Sequence, residues 1–92
     1  MTDLSKQTFE GIRRFNQDRQ ECWSSRDLAE VLGYQQYRNF DPVLAKAKQA
    51  CFSSGQALAE HFDEITEMVA IGSGAQRAVK TTLLSRYACY LV

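Results

Sequence analysis

The sequence predicts an α+β fold: a small helical core with a helix-turn-helix-like pair and a short, wing-like β-hairpin. Apolar residues recur at helical spacing over residues 28–32 and again over 43–51, with a glycine between the two segments. Further along, two short runs with β-branched residues flank Gly72-Ser73-Gly74, which is typical of a hairpin turn. Two helical segments and one glycine-rich turn therefore define the fold class.

The totals for the chain limit what the protein can be. The 92 residues predict one domain over 1–92, and 11 basic and 11 acidic side chains give a formal net charge of zero. Because a neutral domain lacks the overall positive charge of a typical nucleic-acid binder, any contact with phosphates has to come from a local patch. The chain ends within an apolar helical pattern, which predicts an N-terminal fragment of a longer protein.

The cysteines and the hydropathy pattern indicate the cellular compartment of the protein. Cys22, Cys51 and Cys89 are odd in number and widely spaced, which favours core packing in a reducing cytoplasm over a disulfide framework. The chain has neither a secretory signal pattern nor an apolar run of the ~20 residues that cross a membrane. We therefore expect a cytoplasmic protein with no membrane partner.

The first helix is marked at both ends. Ser24 or Ser25 can accept a hydrogen bond from a free backbone N–H group at its start, and Gly33 suits the left-handed conformation of a C-terminal cap. The second helix starts near Asp41-Pro42, where proline loses no needed hydrogen bond. The pair is either a helix-turn-helix, which sets a helix into the DNA major groove, or an ordinary helical hairpin.

The remaining segments follow from the same signals. Residues 1–7 are polar and are predicted to be frayed. Residues 9–15 predict one short helix, with a strand as the alternative, and residues 21–24 predict a brief strand. Residues 57–66 predict a helix, and a last helix starts after a Ser85 cap. One shared core is predicted to contain Trp23, Leu28, Leu32, Phe40, Val43, Phe62, Tyr87 and Leu91.

Charge is sorted along the chain. Residues 57–71 carry four acidic side chains and no lysine or arginine, whereas residues 36–56 and 72–92 are mainly basic. If the second helix and the hairpin lie side by side, they form one basic face that can meet phosphates; the alternative is an ordinary solvated surface. The predicted nucleic-acid-binding residues are Arg38, Asn39, Lys46, Lys48, Arg77 and Lys80, with Asn39 able to pair with adenine.

Patterns for catalysis or metal binding are missing from the sequence. His61 is the only histidine, and no cysteine or second histidine stands at ligand spacing from it. Gly72-Ser73-Gly74 lacks the lysine of a phosphate-binding loop. We therefore expect no enzyme activity, no metal and no cofactor.

Short motifs spread over the chain carry a family resemblance. They are Phe9-Glu10-x-Ile12-Arg13, Trp23-Ser24-x-Arg26-Asp27-Leu28, Leu32-Gly33-Tyr34, Tyr37-Arg38-Asn39-Phe40, Ala45-Lys46-Ala47-Lys48, Ala50-Cys51, Ser54-Gly55, His61-Phe62 and Leu84-Ser85-Arg86-Tyr87-Ala88-Cys89-Tyr90-Leu91. From Phe9 onward the chain resembles the N-terminal part of the DNA-damage-inducible protein D family. It is more distantly similar to the N-terminal domain of the BRO proteins.

The resemblance implies a bacterial protein of the SOS response to DNA damage. It implies a DNA-binding domain that acts near single-stranded DNA or recombinase filaments, and it implies no enzyme activity. The alternative is a protein-interaction domain that binds a recombinase without direct DNA contact. The resemblance assigns no DNA-contact residues, so the residues named above come from charge sorting alone.

Overall fold

The computed structural model describes residues 8–92, so the prediction for residues 1–7 lies outside it. The strands are β1 (Arg14–Phe15), β2 (Glu21–Ser24), β3 (Phe62–Ala70) and β4 (Gln76–Leu84). The helices are α1 (Ser25–Val31), α2 (Asp41–Ser53), α3 (Leu58–His61) and α4 (Arg86–Leu91), with 3-10 turns at Glu10–Ile12 and Tyr37–Asn39. This element content confirms the α+β prediction.

The four strands form one antiparallel sheet in the order β1-β2-β4-β3. Two residue pairs join β2 to β4, whereas nine join β3 to β4, so most of the hairpin extends beyond the rest of the sheet. The sheet also curls, since its two outermost strands approach each other: Arg14 in β1 donates a hydrogen bond to Glu67 in β3 over 2.9 Å. The long hairpin is thus anchored at its base and projects from the domain.

Helix α1 begins and ends as its sequence predicts. The Ser24 side chain accepts hydrogen bonds from the backbone N–H groups of the first helical turn, which identifies Ser24 as the N-cap. At the other end Gly33 has a φ of +90°, and Tyr34 donates its N–H to the carbonyl of Ala29 over 2.9 Å. This Schellman-type ending turns the chain toward the core, where Tyr34 packs edge-on against Phe40.

The core lies where α1, α2 and α4 meet the base of the hairpin. Its buried members include Leu28, Ala29, Phe40, Leu44, Ala47, Cys51, Phe62, Leu84 and Ala88. Of the predicted core, Trp23 is also fully buried, and Val43, Tyr87 and Leu91 are half-buried. The prediction for Leu32 is wrong: its side chain is 51% exposed, because the helix ends at Val31 and the inward stripe is Ser25, Leu28 and Ala29.

The acidic segment is the main error in secondary structure. A helix over 57–66 is wrong beyond His61, since residues from Phe62 onward pair with β4 along nine residues. Burial alternates between neighbouring residues from Ile65 to Ala70, as in a strand with one half-covered face. The hairpin is therefore long rather than short, and tertiary pairing outweighs the helical spacing of Leu58, Phe62 and Ile65.

Other elements lie close to their predicted bounds. Residues 21–24 form the brief strand β2, Ser85 caps α4 with its side chain, and residues 37–39 form a separate turn before α2. The predicted helix over 9–15 is instead a 3-10 turn followed by β1, which makes the alternative strand right for Arg14–Phe15. Helix α1 contacts β2 and β4, while α2 contacts α3 and α4. A helix-turn-helix role for α1 and α2 stays a prediction.

Candidate nucleic-acid interface

A groove of about 440 Å³ lies between α2 and the hairpin, beside the 3-10 turn at Tyr37. Three basic side chains from three different elements line it, namely Arg26 of α1, Lys48 of α2 and Lys80 of β4. We call these three residues and the space between them the basic groove. Two acidic residues, Asp41 and Glu64, also line it, so the lining keeps a net charge of +1.

Arg26 is held in place by the end of β2. Because the chain leaves the sheet at Ser24 and starts α1, the edge of β4 beyond Thr82 has no strand beside it on that side. The Arg26 guanidinium fills this position by donating two hydrogen bonds to the carbonyl of Lys80, at 3.2 and 2.9 Å. It also stacks on the Tyr37 ring, with its central carbon 4.2 Å from the ring centroid. Arg26 is therefore a positioned cation.

Lys48 and Lys80 face the groove for different geometric reasons. Lys48 lies on one stripe of α2 with Ala45, three residues before it, and Asp41, four residues before Ala45. Lys80 is paired with Thr66 and shares its sheet face with Glu64 and Thr82. The Lys48 ammonium lies 3.2 Å from a Glu64 carboxylate oxygen, whereas Lys80 is exposed and has no ion pair within residues 8–92.

The structure does not bring all the predicted residues to this groove. Lys46 is exposed, but it precedes Lys48 by two positions. This places the two side chains roughly 160° apart around the axis of α2, so Lys46 lies on a different face of the helix. Arg77 is paired with Val69 and is on the sheet face opposite to Lys80, close to the exposed hairpin tip. Lys46 and Arg77 are therefore separate from the basic groove.

Arg38 and Asn39 are near the basic groove but do not line it. Both are exposed on the 3-10 turn whose first residue, Tyr37, lines the groove. The charge pattern along the sequence does not reveal Arg26, because Arg26 stands beside Asp27 and near Glu30 and not in a segment rich in bases. Only the pairing of β2 with β4 shows that a side chain in the first turn of α1 reaches the edge of β4.

Two other arginines are committed to structural ion pairs. Arg14 bridges Glu67 and Asp27 at 2.9 and 3.3 Å, and Arg86 binds Glu21 through two hydrogen bonds at 2.8 and 3.1 Å. The hydrogen bond from Arg14 lowers the pKa of Glu67, although burial of the carboxyl partly opposes this. These pairs join β1 to β3 and β2 to α4, so their charge is satisfied within the fold.

Residues 8–92 show neither a metal-binding cluster nor a membrane-spanning helix. In this part of the chain no group of three or more His, Cys, Asp and Glu side chains is arranged to hold a metal ion. His61 instead lies with its Nδ1 atom 2.7 Å from the Ser85 hydroxyl and packs against Tyr87. None of the helices described is long and apolar enough to cross a membrane.

Comparison with known proteins agrees with the resemblance seen in the sequence. Residues 11–92 match the family described as the BRO family, N-terminal domain. The chain is 55% identical over 86 residues to DNA damage-inducible protein D of Escherichia coli (strain K12); the match covers 94% of this chain and 31% of that protein. The chain thus spans about a third of this relative, and no solved structure matches it. The chain therefore belongs to the BRO family, of which it represents the N-terminal domain.

Proposed function

We propose that this domain binds nucleic acid through the basic groove, as part of a cytoplasmic bacterial protein of the DNA-damage response. The observation that carries the proposal is the convergence of Arg26, Lys48 and Lys80 from three elements on one groove of a chain whose net charge is zero. Local concentration of cations is what a neutral domain needs to bind phosphates. The 55% identity to a protein named for induction by DNA damage supports the cellular setting.

The groove is suited to a phosphodiester backbone. Lys48 and Lys80 each supply an ammonium group with rotatable donors, and Arg26 supplies a guanidinium whose Nη1 N–H groups make no hydrogen bond within residues 8–92. On the exposed 3-10 turn that begins at Tyr37, Arg38 supplies a further cation and Asn39 an amide that can pair with a base edge. A binding role, with no catalytic step, needs nothing more than these groups.

Single-stranded DNA is the form we propose, near a recombinase filament. An aromatic ring at the groove, Tyr37, gives an unstacked base a surface to approach, although Arg26 covers one of its faces. The competing function is a protein-interaction domain that binds a recombinase directly. The exposed acidic residues Glu60, Asp63 and Glu64 favour this alternative, because they repel phosphates and suit a basic protein surface.

A salt-dependent titration with short single-stranded and double-stranded oligonucleotides tests the proposal. Lys48→Ala and Lys80→Ala should each weaken binding and reduce the slope of log K against log salt by about 0.7 to 0.9. Lys46→Ala and Arg77→Ala remove the same charge outside the groove and serve as matched controls, and a thermal melt checks that each variant folds.

The outcomes separate the two functions. Binding by the parent domain, lost selectively in the groove variants, supports nucleic-acid binding at this site. Equal losses in all four variants would show diffuse electrostatic attraction instead. A parent domain that binds neither oligonucleotide, together with capture of a purified recombinase, would favour the protein-interaction function.

A further inference from the structure

The basic groove contains an anion of its own. Glu64 of β3 reaches across the groove to Lys48 of α2, with 3.2 Å between its carboxylate oxygen and the ammonium nitrogen. The carboxyl is 67% exposed, so it occupies the solvent-facing side of the groove. In the register of the hairpin Glu64 is opposite Thr82, and Lys80 is the next residue on that face of β4. Glu64 is therefore beside both lysines.

A carboxylate and a phosphate are equivalent partners for an ammonium group. Each is an oxygen anion that accepts charge-assisted hydrogen bonds at similar distances. Lys48 in contact with Glu64 has one of its donors in use and its charge largely compensated. A phosphate that approaches the groove meets Glu64 as a like charge until that carboxylate moves away.

The pair is weak enough to exchange. Both side chains are partly solvated, with 33% of Lys48 and 67% of Glu64 exposed, and ion pairs of this kind contribute little stability. Glu64 carries no second hydrogen bond within residues 8–92 that would fix its carboxyl group. An arriving phosphate can displace it without disturbing the hairpin, whose strands are held by their backbone ladder.

We infer that Glu64 is an internal competitor for the phosphate site, which nucleic acid must displace from Lys48 in order to bind. This inference rests on the proposed function, since it concerns the same groove. Glu64 offsets one positive charge of the free groove and lowers its affinity for isolated anions. A polyanion that also engages Arg26 and Lys80 gains enough contacts to displace the carboxylate.

The neighbouring residue supplies a matched control. Asp63 precedes Glu64 on β3, is exposed, and makes no ion pair within residues 8–92, but it faces the other side of the sheet, opposite Leu83. Glu64→Gln and Asp63→Asn change the net charge equally and keep similar side-chain volumes. An effect of net charge alone predicts the same gain in both variants, whereas displacement from Lys48 predicts a larger gain for Glu64→Gln that depends on Lys48.

The experiment is a fluorescence titration of a single-stranded oligonucleotide with the parent domain and these variants at several salt concentrations. Glu64→Gln should tighten binding about two- to five-fold and steepen the salt slope, because Lys48 becomes available for phosphate. Asp63→Asn should produce a clearly smaller gain. In a Lys48→Ala background the gain from Glu64→Gln should become clearly smaller than in the parent domain, because only the like-charge repulsion between Glu64 and phosphate remains.

The result also separates this inference from the proposed function. Equal gains for Glu64→Gln and Asp63→Asn, or an undiminished gain in the Lys48→Ala background, would overturn the competitor role while binding by the groove stands. No binding by either the parent or Glu64→Gln would overturn both. Thermal melts of all variants check folding, and the exposed pair predicts only small changes in melting temperature.

Discussion

The hydroxyl oxygen of Ser25 lies 3.1 Å from the backbone nitrogen of Thr82 and accepts its N–H. In the register of β2 and β4, Trp23 is opposite Leu84 and Ser24 opposite Leu83, so Ser25 is the residue that would pair with Thr82 next. Its side chain replaces the backbone acceptor that is lost when the chain turns into α1. The same hydroxyl is 2.7 Å from the Tyr37 hydroxyl, which connects the sheet to the turn beside the basic groove.

We predict that Ser25→Ala destabilises the protein by about 1–3 kcal/mol, because the buried Thr82 N–H would lose its acceptor. Tyr37→Phe leaves that bond intact and removes only the outer hydroxyl, so it should cost about 1 kcal/mol or less. Urea unfolding of both variants measures the difference. Ser54→Ala, which removes an exposed hydroxyl bonded to the Ala50 carbonyl, serves as a control. A Ser25→Ala variant as stable as the control would contradict the prediction.

Two leucines of one helix segment should differ sharply in their effect on stability. Leu28 is buried in the core, so Leu28→Ala should lower the free energy of unfolding by about 2–5 kcal/mol. Leu32 is 51% exposed beyond the end of α1, so Leu32→Ala should cost less than about 1 kcal/mol. Chemical denaturation of the two variants side by side tests this. Similar losses at both positions would mean that Leu32 is packed in solution.

Stability should fall in acid in a way that depends on Glu67. The hydrogen bond from Arg14 lowers the pKa of Glu67 in the folded protein below its ordinary value of 4.5. The carboxylate therefore contributes its full stability above that value, and the contribution is lost as pH falls through the folded pKa. Melting temperatures between about pH 7 and pH 3 should decline less steeply in Glu67→Gln than in the parent.

Protonation of Glu21 should also reduce stability in acid, because its hydrogen bonds from Arg86 lower its pKa. Some acid dependence should therefore persist in the Glu67→Gln variant. An acid dependence that is identical in Glu67→Gln and the parent would show that the Arg14 bridge does not form in solution.

The cysteines should react slowly in the folded protein. Burial raises the pKa of Cys89 to about 12 and also raises the pKa of Cys22, so few thiolates exist near neutral pH. Cys51 is fully buried in the core. Labelling with a thiol reagent at about pH 8 should be much slower for the native protein than for the same protein in denaturant. Rapid labelling of Cys89 in the native state would contradict the burial of its thiol.

The ends of helices were predictable because their signals are local. Ser24 and Gly33 act through hydrogen bonds and a backbone angle that involve residues within one helical turn, so the sequence alone limited the cap of α1 to Ser24 or Ser25 and its end to the residues before Gly33. The same holds for Ser85 before α4 and for the brief strand at Glu21–Ser24. The local sequence was also enough to determine the α+β class and the family resemblance.

Only the tertiary structure decided what depends on distant partners. Residues 62–66 have helical spacing, yet they form a strand because β4 supplies backbone partners along their length. Arg26 joins the basic groove because β2 leaves the sheet at Ser24 and exposes the carbonyl of Lys80, which lies 54 positions away in the chain. The pleat of β4 separates Arg77 from Lys80, and the turn of α2 separates Lys46 from Lys48. Charge sorting along a sequence counts such residues together, whereas the faces of strands and helices determine which of them can act on one ligand.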